Sequence, residues 1–238
     1  MTDLASRISV AFLLRSACVL WISLAAAFGG LRATRADEST AEAASAKDSG
    51  WLTLFDGSSL MGWQDTNFGS PVQAALVGGA MELDFGAPLA GVNYVGNQLP
   101  HGNYELRLEA QRIEGTDFFC GLTFPVRDSY CSLILGGWGG SLVGLSCIDG
   151  KDASDNETRT ELGFDRKQWY RVRILVTDKL IRAWVNDKRI VDQDIEKREI
   201  SLRSEVLRSK PLGLCAFETR AAFRNIQWRP LPTNDASK

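Results

Sequence analysis

Few side chains in this sequence of 238 residues can move a proton near neutral pH, and their positions limit the chemistry open to it. There is one histidine, His101, beside Pro100. That excludes polyhistidine metal sites, and any Ser-His-Asp triad would have to run through this single imidazole. Carboxylates are the richer source. Asp117 follows Gly115-Thr116 and leads into a wholly apolar stretch, so it reads either as a base at the edge of a core or as a turn residue opening a strand. Pro125-Val126-Arg127-Asp128 has the composition of a tight turn, and Arg127, Asp128 and Tyr130 around it either grip hydroxyl groups of a ligand or simply cover a surface turn. Trp138 has two glycines on each side; it either folds back on the core or offers a flat stacking face. The loop from Asp149 to Glu157 gathers acids of the kind that hold a divalent metal such as calcium, but without EF-hand spacing, and a solvated loop is the simpler reading. The catalytic candidates are therefore Asp117, Asp128 and Asp149, and the binding candidates Arg127, Tyr130 and Trp138.

The elements that must position these residues follow a period of two. In Tyr104-Glu105-Leu106-Arg107-Leu108-Glu109-Ala110 every second residue is apolar, which marks a strand with one buried and one wet face. Trp169 to Val176 alternates in the same way. Leu180 to Val185, the turn pair Asn186-Asp187, and the return through Arg189-Ile190-Val191 read as a hairpin. Phe118 to Phe124, Tyr130 to Leu135 and Leu142 to Ile148 are apolar on both faces and read as central strands covered on two sides. Residues 194 to 208 alone have helical character, as a short helix or loop, and the last strand is Ala222 to Arg229. Many short strands with glycine-rich turns and almost no helix make an all-β antiparallel sandwich or barrel, and the absence of a fixed repeat argues against a propeller.

Cys120, Cys131, Cys147 and Cys215 show no CxxC spacing, which argues against zinc. A hairpin centred near Gly139 would set Cys131 opposite Cys147. They would be two small buried thiols or, less simply, a disulfide between facing strands.

At the N-terminus, Arg7 and Arg15 precede the apolar run Ala17 to Phe28, which is short for a bilayer span. It fits a secretory signal peptide over residues 1–36, cleaved before Asp37, or an uncleaved anchor. Residues 37–50 read as a disordered linker and 232–238 as a tail, leaving one domain over 51–231 in a secreted or periplasmic protein with no integral membrane span in the mature chain. Taking away the four Arg and one Asp of residues 1–36 leaves 23 basic against 28 acidic side chains, a net charge of −5. That argues against nucleic acid as a partner. Six of the seven Trp lie beyond residue 36, enough for a core and a stacking surface.

The segment Trp51-Leu52-Thr53-Leu54-Phe55-Asp56-Gly57-Ser58-Ser59-Leu60-Met61-Gly62-Trp63 resembles the opening motif of the 3-keto-disaccharide hydrolase domain family, Leu-Phe-(Asn/Asp)-Gly followed by Leu-x-Gly-Trp. Gly102-Asn103-Tyr104-Glu105-Leu106, Trp169-Tyr170-Arg171-Val172-Arg173 and Ala222-Phe223-Arg224-Asn225-Ile226 agree with it. The resemblance implies a two-sheet jelly roll of the concanavalin A-like lectin/glucanase type and an exported hydrolase that cleaves glycosides oxidised at C3, with carbohydrate as partner. A non-catalytic carbohydrate-binding module of the same fold is the alternative. The motif itself reads as a structural clasp, with Trp63 capping the core. Where many family members carry Glu-x-Gln in a central strand, Ser132 or Leu133 stands here. Glu82 and Asp84 share a strand face, but the Glu-x-Asp-x-x-Glu pattern of laminarinase-type enzymes ends on Ala87, against that kind of retaining glycosidase.

Overall fold

The computed structural model describes residues 50–69 and 72–231; the signal-peptide run, almost all of the linker and the tail lie outside them. Strands are numbered in chain order. The first sheet is built on two long neighbours, β6 (Tyr104–Gly115) and β15 (Thr219–Pro230). β11 (Trp169–Val176), β12 (Leu180–Val185) and β13 (Lys188–Asp194) extend it beyond β6. On the far side of β15 come β4 (Ala80–Leu83) and β3 (Ala75–Val77), with β1 (Leu52–Phe55) also pairing β15. The second sheet runs in the order β10 (Thr160–Glu161), β9 (Leu142–Ser146), β8 (Ser129–Gly137), β7 (Cys120–Val126), β14 (Gly213–Phe217), β5 (Leu89–Tyr94) and β2 (Trp63–Asp65). Every pairing is antiparallel. The architecture is an all-β antiparallel sandwich, as the period-two pattern implied, and of the two-sheet lectin and glucanase type that the family resemblance implied.

The inner faces interdigitate as alternation requires. Tyr104, Leu106, Leu108 and Ala110 of β6 meet Leu122, Phe124, Leu133 and Leu145 of the second sheet in one continuous core. Trp63 caps it and donates its indole N–H to the Leu54 carbonyl at 2.9 Å. Asp56 accepts from the backbone N–H and hydroxyl of Ser58, closing the turn of the opening motif.

The outer face of the first sheet is less wet than its sequence reads. Glu105, expected to point into water, is buried beneath Arg173 and Arg229, which both pair with it. Arg173 stacks on Trp184 at 3.6 Å, Arg224 on Trp169 at 4.1 Å, and both Arg107 and Arg229 on Trp51. Trp51, Trp169 and Trp184 are thus covered by the protein's own guanidinium groups.

β8 and β9 pair Ser132 with Ser146 and Leu133 with Leu145, the register that the hairpin centre implies, but the ladder ends there and the Cys147 backbone bonds to Ser201. All four described cysteines are free and buried. Burial pushes the Cys131 and Cys215 thiols up to about 12, and Cys120 higher still. Thiolate is the reactive form. None of these four should react with a thiol reagent while folded, and all four should react in denaturant without a reductant; a thiol titration checks both numbers.

Candidate functional site

The second sheet carries the candidate site on its outer face. Residues that alternate with the core set point that way: Gly121 and Thr123 of β7, Ser132 and Ile134 of β8, Ser146 of β9, and Cys215 of β14. Most are small, and they are buried because other segments close over them. Val206, in the 3-10 turn Ser204–Ser209, packs with Leu89 and Cys215, and Phe68, Phe118, Leu202 and Phe217 join that cluster. This cover is why the central strands are apolar on both faces. A Cβ on Gly121 would lie 2.7 Å from the Cys215 Sγ and 3.1 Å from the Phe118 ring, so glycine here lets Phe118 lie down against the sheet.

Between sheet and cover is a cavity of about 440 Å3. Phe68, Leu89, Phe118, Ile134, Val206 and Phe217 supply most of its wall. Ser132 and Ser146 lie on the floor, Asp117 and Trp138 on one rim, and Arg203 and Glu205 on the other. The Ser132 and Thr123 hydroxyls are bonded to each other at 2.9 Å, and Ser146 Oγ is 3.5 Å from Cys147 Sγ.

The first rim is held by a buried hub that the sequence does not advertise. Arg112 continues the inward-facing series of β6 past Ala110, and its side chain is 5% exposed. Its Nη2 donates to the carbonyls of Asp117 (3.1 Å), Gly136 (3.1 Å) and Gly140 (2.9 Å), and Nη1 to that of Phe164 (3.4 Å). Burial, then the nearby Arg166, lower its pKa, yet a guanidinium stays charged. Thr219 Oγ1 donates to the Asp117 carbonyl and accepts from its N–H. Asp117 in turn accepts the backbone N–H of Phe118 at 2.7 Å and of Trp138 at 3.2 Å on a single oxygen, Oδ1. Both readings of Asp117 therefore meet: it shapes the turn, and it lines the cavity. Trp138 does not fold back on the core. It sits at the tip of the β8–β9 turn with φ +47° and is 45% exposed.

On the opposite rim, Arg203 bridges Asp152 (2.7 Å) and Glu205 (2.8 Å), and Ser204 donates to Glu205 at 2.9 Å. The hydrogen bond from Arg203 leads the influences that bring the Glu205 carboxyl down to about 2. A depressed folded-state pKa means that the unfolded chain takes up protons first on acidification. The pair's contribution is complete above the unfolded value near 4.3 and is lost as pH falls toward 2. Glu205→Gln should therefore lose less thermal stability than the wild type between pH 4.5 and 2, by a small margin because half of the Glu205 side chain is in solvent. Melting curves across that window check it.

The remaining candidates lie elsewhere. Arg127 and Asp128 form the β7–β8 turn, at the other end of strands that span roughly 20 Å. Arg127 donates to the Arg198 carbonyl, Asp128 is exposed, and Tyr130 packs edge-on against His101 at 5.3 Å. Asp149 is paired with Arg198 at 2.6 Å, which also holds Glu157. With Asp152 on Arg203, the main acids of the loop read as a calcium candidate already face cations. Among the described residues no group of three or more His, Cys, Asp or Glu is arranged to hold a metal. Asp84 pairs with Arg220 on the first sheet.

Of the residues singled out in the sequence, Asp117 and Trp138 line the cavity; Arg112, Arg203, Glu205 and the aromatic cover were not among them. Alternation puts Arg112 on the inward face of β6 but does not say which carbonyls it would serve, and the Arg-Ser-Glu triplet sits in a stretch without strand periodicity. Among the described residues no helix is long and apolar enough to cross a membrane.

Among curated proteins, none matches the sequence. Solved structures show the same fold at low identity. A protein from Parabacteroides distasonis ATCC 8503 superposes with a TM-score of 0.51 at 14% identity, covering 82% of this chain and 97% of its own. A native glycosidic hydrolase gives 0.55 at 10% identity, covering 77% and 97%. The carbohydrate recognition domain of Emp46p gives 0.52 at 11% identity, covering 73% and 90%. The family model of the 3-keto-alpha-glucoside-1,2-lyase-like domain matches residues 50–229, and the chain belongs to that family.

Proposed function

We propose that the cavity on the second sheet takes the oxidised ring of a 3-keto-glycoside and that Asp117 removes its C2 proton. The observation that carries this reading is the shared rim: a carboxylate with one oxygen fixed by two backbone N–H groups stands beside an exposed tryptophan at the mouth of a cavity. Fixing Oδ1 orients the carboxylate and leaves Oδ2 as the basic atom. A ketone at C3 acidifies the C2 proton. When that proton moves to Asp117, its bonding pair forms the enolate. The enolate then expels the aglycone from C1 with the C1–O pair, and the departing oxygen takes a proton from water. Water added back across C1 and C2 completes a hydrolysis. Trp138 supplies a face for the sugar ring.

A second reading, a carbohydrate-binding module without catalysis, is favoured by one observation. The strand in which many family members carry Glu-x-Gln here puts Ser132 on the floor, with its hydroxyl already bonded to Thr123. Incubation with a 3-keto-glucoside and with its unoxidised parent separates the two. Aglycone release from the oxidised sugar alone is the expected result. Binding of the sugar, read as a change in tryptophan fluorescence, without release would leave the module. The proposal extends to export. The apolar run before Asp37 would deliver the chain outside the cytoplasm, and N-terminal sequencing of protein from the culture medium or periplasm should begin at Asp37.

A further inference from the structure

From the lining of the same cavity we infer that the preferred glycoside carries an aromatic aglycone rather than a second sugar; this rests on the reading of that cavity as the glycoside site. A second sugar ring would bring several hydroxyls out of water at once. Each one left without a partner is penalised, so disaccharide sites answer with many side-chain donors and acceptors. This cavity does not. Its floor hydroxyls are engaged, Ser132 with Thr123 and Ser146 with the Cys147 sulfur. Its one cation, Arg203, is held by Asp152 and Glu205. The charged groups stand on the two rims, and the wall between them is Phe68, Leu89, Phe118, Ile134, Val206 and Phe217. Phe118 and Phe217 lie tilted together, ring centres 5.7 Å apart, and form one aromatic wall. An oxidised sugar at the Asp117–Trp138 rim would direct a C1 substituent toward that wall, where a flat apolar group loses water at no penalty.

The test compares 4-nitrophenyl 3-keto-glucoside with a 3-keto-disaccharide of two glucose units, measuring kcat/KM for aglycone release. Calorimetry on the unoxidised forms of both measures binding in parallel. The expected result is a preference for the aryl glycoside on the order of 50-fold, the scale of burying one aromatic ring. That preference should collapse to a few-fold in Phe217→Ala. Phe68→Ala, on the cover rather than the sheet, should collapse it too and serves if Phe217→Ala does not fold. Equal or better turnover of the disaccharide overturns the inference and leaves the cleavage reading intact. If neither compound is cleaved, the cleavage reading falls and binding decides. Tighter, Phe217-dependent binding of the aryl glucoside sustains the inference, whereas equal binding, or none, overturns it.

Discussion

Arg112→Ala should lower the midpoint of thermal unfolding by about 10 °C, corresponding to roughly 3 kcal/mol in a domain of this size. The guanidinium is almost wholly out of solvent and serves carbonyls from three separate segments: Asp117 before β7, Gly136 and Gly140 around the Trp138 turn, and Phe164. Truncating it strands those oxygens in a site that alanine cannot fill. The neighbourhood has been shaped to the guanidinium. Gly136 has φ +76°, and a Cβ there would come within 2.3 Å of Arg112 Nη2. Arg112→Lys should recover little, because an ammonium is a compact point donor with three N–H groups and cannot spread to the four carbonyls that the planar fork serves. Calorimetry of both variants checks this; a fall of under about 3 °C for alanine would mean that water replaces the hub.

Asp117→Asn should reduce kcat/KM for 3-keto-glycoside cleavage by about 100-fold or more, the usual contribution of a positioned general base. The amide oxygen can accept the same two N–H groups from Phe118 and Trp138 that the carboxylate Oδ1 accepts. The turn should therefore persist, with a melting temperature close to wild type. Asp117→Ala removes base and turn acceptor together and should lose stability as well as activity. An Asn variant with full activity would show that Asp117 only shapes the turn.

The fold was legible because alternation survives wherever one face of a strand is wet. Trp169–Val176 matches β11 end to end, and the turn symmetry about Gly139 gave the Ser132–Ser146 and Leu133–Leu145 register. Less could be read where a charged side chain is buried. Glu105 points outward from β6 yet lies under two arginines, and Arg112 falls in the inward series after Ala110, where its guanidinium serves the carbonyls of the rim. The apolar runs of β7 to β9 showed that something covers their outer face, but not what covers it. Phe68 and Val206 come from segments distant in sequence and without strand periodicity. Asp117 and Trp138 stood out for local reasons, a carboxylate entering an apolar strand and a lone aromatic among glycines. Asp128 and Asp149 had equally good local reasons and sit at the far end of the sheet, because spacing along a chain does not say which end of a strand pair a turn will occupy.

The central claim is that this chain breaks the glycosidic bond by first removing the proton at C2. Comparing aglycone release from a 3-keto-glucoside with release from the same compound deuterated at C2 tests it directly. The account predicts release from both, slower from the deuterated compound. Equal rates, or binding without release, would contradict it.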